Sequence, residues 1–243
     1  MSQEVPARVL DEMMTYYRER ANEYDEWFYR RGRYDRGSQS NALWFAEADE
    51  VFNALARFQM QGELLEIAPG TGIWTERLLK TASTVTAIDA STEMIAINRA
   101  RINSDRVEYT LADLFTWQPS RMYDGIFFGF WLSHVPLERL DPFLDMLAAA
   151  LRPGGQIFFV DGRREPTSTA SNHQLPTEGA QLMIRKLNDG RAFEIVKNFY
   201  DPVALVGRFA QHGLDVTVQE TATFFLYGDG EKGKPIIQAL AHM

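Results

Sequence analysis

The sequence predicts an α/β fold in which helices connect the strands of a parallel sheet. From residue 63 onward, short apolar runs alternate with helical patterns, and each run ends in an acid or a glycine. This alternation is typical of βαβ units, because parallel strands need a crossover connection. Residues 152–155, Arg-Pro-Gly-Gly, mark a sharp boundary, since glycine adopts the positive φ of a helix cap and proline cannot continue the helix.

The elements follow in order along the chain. Apolar residues at three- and four-residue spacing predict helices within residues 8–58, with a glycine-containing loop at 31–40 between them. We expect strands at residues 63–68, 84–88, 107–111, 125–128 and 156–160. We expect helices near residues 73–81, 92–101 and 137–151.

The last third of the chain begins with an insertion. Residues 162–190 are rich in Pro, Ser, Thr, Asn and Gly, and only residues 180–187 look helical. Beyond the insertion, residues 193–200 are strand-like, 202–211 are helical and 214–227 alternate as strands do. The chain is therefore expected to end in strand, helix and strand.

Composition limits the classes of partner. The 243 residues contain 25 Lys and Arg against 33 Asp and Glu, a net charge of −8, so we expect no nucleic-acid partner. The basic cluster at residues 30–36 is interleaved with tyrosines and acids, which favours a solvated or substrate-facing surface over an RNA or lipid patch. The absence of cysteine excludes disulfides, thiolate catalysis and Cys-ligated metals.

No apolar stretch reaches the roughly 18 residues of a membrane span, and the N-terminus lacks an apolar run behind a basic start. We therefore expect a cytoplasmic protein with no membrane partner. The sequence shows no cluster of acidic residues of the kind that binds a hard metal ion, so we expect no metal. The oligomeric state is left open by the sequence.

A glycine-rich turn at residues 64–75 is the most informative segment. An apolar strand leads into a turn that opens a helix, so backbone can approach a ligand and helix N–H groups are free to bind it. A dinucleotide can use the same geometry. However, Thr75 replaces the third glycine of that pattern, and Glu66 would repel a pyrophosphate. A cationic ligand is therefore favoured.

Acids also end the next two predicted strands. Asp89 is placed to accept hydrogen bonds from ribose hydroxyls, and Asp113 to accept from an adenine amine. Taken singly, Glu66, Asp89 and Asp113 each favour a helix cap or a solvated loop charge over a ligand contact. Their shared location favours a ligand site, because open α/β sheets bind ligands at the carboxyl ends of consecutive strands.

Together these segments resemble the class I S-adenosylmethionine-dependent methyltransferases. The segments similar to the family's motifs, in chain order, are residues 65–72, 89–94, 112–114, 123–128 and 151–155. One departure is Ala68, which stands where many members have a first glycine. The resemblance implies a Rossmann-like seven-stranded mostly parallel sheet with an antiparallel last strand, helices on both faces and an N-terminal helical cap.

The resemblance also implies S-adenosyl-L-methionine as cofactor and a single domain over residues 1–243. Its parts would be a helical cap at 1–60, a cofactor-binding core at 61–161, a substrate lid at 162–190 and C-terminal strands and helix at 191–243. The cofactor-binding residues implied are Tyr16, Arg20, Tyr24, Glu66, Ala68, Gly70, Gly72, Asp89, Ala90, Met94, Asp113, Leu114 and Phe128.

Within this set the resemblance implies separate roles. Asp89 would hold the ribose and Asp113 the adenine amine, with Met94 and Leu114 on either side of the adenine. Arg20 would reach the methionine carboxylate, because its planar fork suits a carboxylate. Tyr16 or Tyr24 could reach the same carboxylate, and Tyr17 and Tyr24 also fit an amphipathic core stripe.

The acceptor is expected beyond the fourth strand. His134 is the candidate general base or acceptor orienter, with helix capping or packing as the alternative. Phe130 and Trp131 are either a pocket wall or core. Arg163 or Arg164 would bind an acidic acceptor such as a carboxylate. Other donors in the insertion are Asn172, His173, Arg185 and Lys186.

These features predict methyl transfer from S-adenosylmethionine to a small-molecule acceptor, with oxygen favoured over nitrogen or carbon. Two alternatives remain open: a protein that binds S-adenosylmethionine without catalysis, and a nicotinamide-dependent dehydrogenase. Aminopropyl transfer on the same fold is not excluded.

Overall fold

Three helices form the N-terminal cap, as the periodicity predicts. The computed structural model describes residues 4–233. The cap helices are α1 (Ala7–Glu19), α2 (Tyr24–Phe28) and α3 (Ser38–Phe58). The predicted loop at 31–40 is mostly irregular, with a short 3₁₀ turn at Gly32–Tyr34 and the start of α3 inside it.

A seven-stranded sheet forms the centre of the molecule. In chain order its strands are β1 (Gly62–Ile67), β2 (Ala82–Asp89), β3 (Val107–Leu111), β4 (Tyr123–Gly129), β5 (Leu151–Gly162), β8 (Leu214–Glu220) and β9 (Phe225–Lys232). Their spatial order is β3-β2-β1-β4-β5-β9-β8. The first five pair in parallel, whereas β9 runs antiparallel to both β5 and β8. The predicted mostly parallel sheet with an antiparallel last strand is confirmed.

Helices cover both faces of this sheet. They are α4 (Thr75–Leu78), α5 (Thr92–Ile102), α6 (Leu140–Ala150) and α7 (Pro202–Gln211). One apolar core lies between the sheet and α6 and α7, and a second lies between the sheet and α3 and α4. The helix predicted at 73–81 is shorter than expected, because the glycine turn continues to Trp74 and only one helical turn follows.

A separate two-stranded hairpin corrects the sequence prediction for the insertion. Residues 180–187 form a strand and not a helix: β6 (Leu182–Lys186) pairs antiparallel with β7 (Ala192–Val196). Burial alternates along β6, with Met183 and Arg185 buried and Ile184 exposed. Helix α1 packs on the hairpin in a third apolar cluster, which favours the two-residue period of a strand.

The order of the strands positions the site. The chain runs outward through β1, β2 and β3, returns to β4 beside β1, and continues outward through β5. Crevices for ligands form where such an order reverses, outside the carboxyl ends of β1 and β4. The cap helices and the β6–β7 hairpin lie over this edge. Across residues 4–233, no helix has both the length and the apolar character of a membrane span.

Candidate active site

Two cavities meet at the carboxyl ends of the central strands. The first, which we call the strand-end cavity, spans about 670 Å³, and the second, the lid cavity, spans about 570 Å³; both are partly open, and these volumes include solvent space at their mouths. Four residues line both cavities and form their common wall: Tyr17, Tyr24, Phe130 and His134. The two cavities are therefore adjacent at these four side chains.

The strand-end cavity gathers most of the residues that the sequence assigns to the cofactor. Those that line it are Tyr24, Ala68, Gly70, Asp89, Ala90, Met94, Asp113 and Leu114. Phe130, Trp131 and His134, assigned to the acceptor side, line it too. These residues come from four strand ends and the cap, so only the folded sheet brings them together.

Asp89 is the most strongly positioned acid of this cavity. It is 9% exposed, and its carboxylate accepts from the backbone N–H of Ser91 at 2.9 Å and of Gly70 at 3.3 Å. Burial raises its pKa to about 6, which leaves it mostly ionised at neutral pH. Asp113 is fixed in the same way, by the backbone N–H of Phe115 at 2.9 Å. Both carboxylates keep lone pairs free to accept from a ligand.

The turn after β1 brings backbone to the cavity. Ala68 takes φ +52°, a left-handed conformation that costs a residue with a Cβ about 1–2 kcal/mol. Gly70 follows at φ +54°, with the Tyr24 ring against it. Gly72, at φ +95°, lies away from the cavity, and a Cβ there would come within 3.0 Å of the Asn98 side chain. The close approach of Asn98 and the positive φ both require glycine at this position.

Four further residues of the sequence-predicted set do not line the strand-end cavity. Glu66 is fully buried in β1, and burial raises its pKa to about 8, so it is mostly protonated at neutral pH. Phe128 stacks on Phe159 in the core, with centroids 5.4 Å apart. Tyr16 is fully buried against Tyr17. Arg20 lines the lid cavity instead.

A histidine and a tyrosine form the centre of the common wall. The His134 ring accepts from the Tyr17 hydroxyl at 2.7 Å through Nε2. Its Nδ1 lies 2.6 Å from the Val196 carbonyl oxygen, which can only accept, so Nδ1 carries the proton. Burial lowers the pKa of His134 to about 3, and the nearby positive charge of Lys197 adds to the effect. His134 is therefore neutral, with both nitrogens engaged.

Four cationic side chains line the lid cavity. Arg163 pairs with Glu220 at 3.0 Å and also donates to two backbone carbonyls. Lys197 donates to the Ser133 hydroxyl at 2.7 Å and lies 3.3 Å from the Asp161 carboxylate. Arg20 and Arg185, by contrast, have no carboxylate partner in the part of the chain that the structure describes.

The residues predicted to bind the acceptor are mostly engaged in contacts with the protein itself. Two of them, Arg163 and Arg164, belong to the insertion, and Trp131 follows β4. The Arg164 guanidinium donates to the Pro176 carbonyl and lies outside both cavities. Arg163 lines the lid cavity, but Glu220 and the carbonyls occupy its donors. Trp131 lies on the strand-end cavity only, 5.3 Å from the Phe115 ring, and its buried Nε1 donor has no partner.

The basic cluster at residues 30–36 contacts the loop at residues 167–169. Arg30 donates to the Thr167 carbonyl at 2.6 Å, and Arg36 donates to the Thr169 carbonyl at 2.9 Å. Arg33 pairs with Glu23 at 3.3 Å. The side chains of Arg30, Arg33 and Arg36 thus bind other groups of the protein, whereas Arg31 is exposed.

Sequence reasoning missed several cavity residues. At the strand-end cavity these are Met13, Met14, Tyr17, Ser91, Phe115 and Gly129. At the lid cavity the most important is Lys197, which follows β7, together with the aromatic residues Trp27, Trp44, Phe199 and Phe224. Tyr17 carried a usable signal, because it shares a helix face with Met13 and Met14 in α1. No pattern in the sequence indicated that Lys197 would line a cavity, because its position depends on the β6–β7 hairpin.

Comparisons with known proteins agree with this geometry. A family model described as a methyltransferase domain matches residues 64–155. A solved DhpI–SAH complex is similar to this chain at 34% identity and a TM-score of 0.77, over 94% of this chain and 99% of that one. A DhpI–SAM–HEP complex is similar at 35% identity and a TM-score of 0.76, over 93% and 98% of the two chains.

A curated relative gives a weaker match. The ubiquinone biosynthesis O-methyltransferase of Xylella fastidiosa is 30% identical over 158 residues, which are 62% of this chain and 60% of that protein. The match thus covers less than two thirds of the relative's length. A methyltransferase structure from Clostridium acetobutylicum, at 16% identity and a TM-score of 0.61, shares the fold.

Proposed function

Because this chain belongs to the class I S-adenosylmethionine-dependent methyltransferases, we propose that it methylates an oxygen atom of a small molecule held in the lid cavity. The observation that carries the proposal is the common wall of Tyr17, Tyr24, Phe130 and His134 between the two cavities. In an in-line displacement the acceptor oxygen must contact the methyl group of the cofactor directly, so we place the junction of the two ligands beside these four side chains.

The hydrogen-bonding and apolar side chains that line the strand-end cavity fit S-adenosylmethionine. Asp89 has the ionised oxygens that ribose hydroxyls require, and Asp113 can accept from the adenine amine. Met94 and Leu114 offer apolar surface for the base. The unpartnered Trp131 Nε1 is a further donor aimed at no group of the protein. The cofactor, when bound, supplies an electrophilic methyl group on its sulfonium sulfur.

The methionine carboxylate is assigned to Arg20. Its guanidinium lies 4.9 Å from the centre of the Tyr24 ring, which also packs against Gly70 of the turn. Arg20 is 4% exposed, and its one hydrogen bond to the described protein goes to the Tyr34 hydroxyl at 3.1 Å. A carboxylate next to Tyr24 would give this guanidinium a charged partner.

The protein's own contribution is to align the acceptor and to exclude water. We assign His134 to acceptor positioning through Tyr17 and not to proton abstraction, because its Nε2 lone pair is occupied and its low pKa makes it a weak base. The Tyr17 hydroxyl is fixed by His134 and lines both cavities. It can therefore orient an acceptor against the cofactor.

Two observations support oxygen as the acceptor atom and a small molecule as the acceptor. The curated relative from Xylella fastidiosa is named an O-methyltransferase. The lid cavity is covered by α1, α2 and the loop that Arg30 and Arg36 hold, which favours a small acceptor over a macromolecule. A cytoplasmic location stays a prediction.

Calorimetric titration tests the cofactor part of this proposal. We expect the wild-type protein to bind S-adenosylhomocysteine and S-adenosylmethionine in the micromolar range and to show no binding of NAD. Binding of NAD alone would favour the dehydrogenase alternative. Folded protein that binds none of the three would contradict the assignment of the strand-end cavity.

Acceptor-dependent formation of S-adenosylhomocysteine tests catalysis and separates an enzyme from a non-catalytic binder. In His134→Ala, we expect kcat to fall while the affinity for S-adenosylhomocysteine is retained, because the substitution releases Tyr17 but leaves Asp89 and Asp113 in place. Unchanged turnover in His134→Ala would remove His134 and its hydrogen bond to Tyr17 from the reaction.

A further inference from the structure

Arg185 is a buried cation with no counter-ion among residues 4–233. The residue is 9% exposed, and its Nη1 donates to the Thr169 hydroxyl at 2.6 Å and lies 3.4 Å from His173 Nδ1, while its Nε has no partner. Burying a guanidinium without an anion is costly, because neutral acceptors do not replace the hydration of a full charge. An anionic ligand bound next to this guanidinium would stabilise it.

The described residues around the lid cavity do not supply that anion. No aspartate or glutamate lines the cavity. The Asp161 carboxylate lies behind it and already accepts from the Ser133 and Gly162 backbone N–H groups and from Lys197. His173 is neutral, because burial lowers its pKa to about 3 and the charge of Arg185 adds to the effect. The cavity thus has an excess of positive charge.

The cofactor does not compensate this excess. Its single carboxylate is assigned to Arg20 above, and its ammonium and sulfonium groups bring a net positive charge into the site. Once the cofactor binds, the neighbouring lid cavity therefore has a stronger requirement for an anion.

The position of Arg185 in the hairpin is unusual for an arginine. In β6 its side chain shares a face with Met183, and that face is buried beneath α1, while Ile184 points outward with 51% of its surface exposed. Strand alternation therefore places a guanidinium where an apolar residue would pack better and leaves an isoleucine in solvent. The exchange of a buried position for arginine and an exposed one for isoleucine is explained if the guanidinium binds a ligand.

We propose, resting on the proposed function, that the acceptor is a small oxyanion whose negatively charged group binds Arg185 and Lys197 in the lid cavity. Carboxylate, phosphate and phosphonate groups share the required chemistry. The planar fork of Arg185 can bind two oxygens of such a group, and the Lys197 ammonium can add a third contact. Both residues belong to the β6–β7 hairpin and its exit, so the hairpin is the acceptor-recognition element.

Thermal unfolding with simple anions tests binding without any turnover. We compare sodium acetate and inorganic phosphate with sodium chloride of equal ionic strength, in the presence of saturating S-adenosylhomocysteine. The variant is Arg185→Met. The control is Arg191→Met, which removes the same charge from an exposed position after the β6–β7 turn. We expect acetate or phosphate to raise Tm in wild type and Arg191→Met and not in Arg185→Met.

Each result has one meaning. No Tm shift with S-adenosylhomocysteine itself would contradict the proposed function. A shift with S-adenosylhomocysteine but none with either anion, or an equal anion shift in Arg185→Met, would overturn the oxyanion site alone. Without ligands, Arg185→Met should melt at or above the wild-type Tm, because it removes an uncompensated buried charge. A much lower Tm, or failure to fold, would show that the charge is already compensated and would also overturn the proposal.

Turnover identifies the source of the anion. A carboxylic acid, a phosphate monoester, an alkylphosphonate and a neutral phenol of similar size are offered as acceptors. We expect turnover of one of the oxyanion classes, with KM raised roughly tenfold or more in Arg185→Met, partly restored in Arg185→Lys and unchanged in Arg191→Met. The neutral phenol as the best acceptor, with the same KM in wild type and Arg185→Met, would refute an oxyanion acceptor.

Discussion

Replacing Asp89 by asparagine should stabilise the ligand-free protein and weaken cofactor binding at the same time. The carboxylate is 9% exposed, and burial raises its pKa from the usual 3.8 to about 6. The folded state thus binds a proton more tightly than the unfolded state. Stability is therefore lost as pH rises through about 4 to 6, and at pH 7 the ionised side chain costs the fold about 3 kcal/mol.

The hydrogen bonds of Asp89 set the net effect. Asparagine keeps one oxygen, which can still accept from the Ser91 N–H, but its amide group cannot accept from the Gly70 N–H. The loss of that 3.3 Å bond costs about 1 kcal/mol. The free energy of unfolding at pH 7 should accordingly rise by about 2 kcal/mol. At about pH 4.5 the ionisation cost falls to about 1 kcal/mol, so the two proteins should be equally stable there.

Cofactor affinity should change in the opposite direction. If Asp89 accepts from the ribose hydroxyls, removing its charge costs about 1.5–3 kcal/mol of binding, so Kd for S-adenosylhomocysteine should rise about tenfold to 150-fold. Urea unfolding at both pH values measures stability, and calorimetry measures Kd. Asp105→Asn, an exposed acid-to-amide change, is the matched control and should alter neither quantity.

Two outcomes would refute this reasoning. An Asp89→Asn protein less stable than wild type at pH 7 would mean that the buried carboxylate is not an energetic burden. An unchanged Kd would mean that Asp89 does not contact the cofactor. Because stability and affinity are expected to move in opposite directions, a general loss of structure cannot imitate the result.

Three further substitutions test the energetics of the site. In the wild type, the elevated pKa of Glu66, about 8, should make stability fall as pH rises from about 4.5 to 8, and above about pH 6 the contribution of Asp89 to this fall is largely complete. Glu66→Gln should therefore flatten the slope between about pH 6 and 8 in urea unfolding. An unchanged slope in that range would contradict the assignment. Lys197→Met should lower the free energy of unfolding by about 3–5 kcal/mol, because it leaves Asp161 buried without its ion-pair partner. Adding Asp161→Asn should recover part of this loss. A loss under about 1 kcal/mol in the single variant would show that the ion pair contributes little to stability. Ala68→Gly should raise the free energy of unfolding by about 0.5–1 kcal/mol, because glycine adopts φ +52° without strain. The measurement is the Tm. A lower Tm in the variant would argue that the Ala68 backbone is not strained.

The sequence by itself determined those elements whose signals are local. Helix α7 begins and ends as predicted, because the Asp201 side chain accepts from the Ala204 N–H and Pro202 occupies the first helical turn. Strand β3 also has its predicted bounds. The acids Asp89 and Asp113 reach the ligand edge because they follow apolar runs directly, and a parallel sheet places all such ends together.

Only the tertiary structure decided which side chains face the cavities. Tyr16 and Tyr17 are adjacent in α1, yet Tyr16 is buried against the hairpin and Tyr17 lines both cavities. Glu66 has the expected position along β1, but its side chain is enclosed away from the cavity wall. Adjacent side chains point about 100° apart in a helix and to opposite faces in a strand. Packing between elements distant in sequence sets which of them faces the cavity.

The hairpin shows the same limit most clearly. Residues 182–186 contain too few side chains to separate a period of 2 from one of 3.6, and strand pairing with Ala192–Val196 beneath α1 resolved the choice. That pairing turned Arg185 inward and set Lys197 beside Asp161. Local patterns therefore determined the order of elements and the cofactor edge. The acceptor side depended on long-range contacts, because backbone pairing and buried area are gained only when distant segments meet.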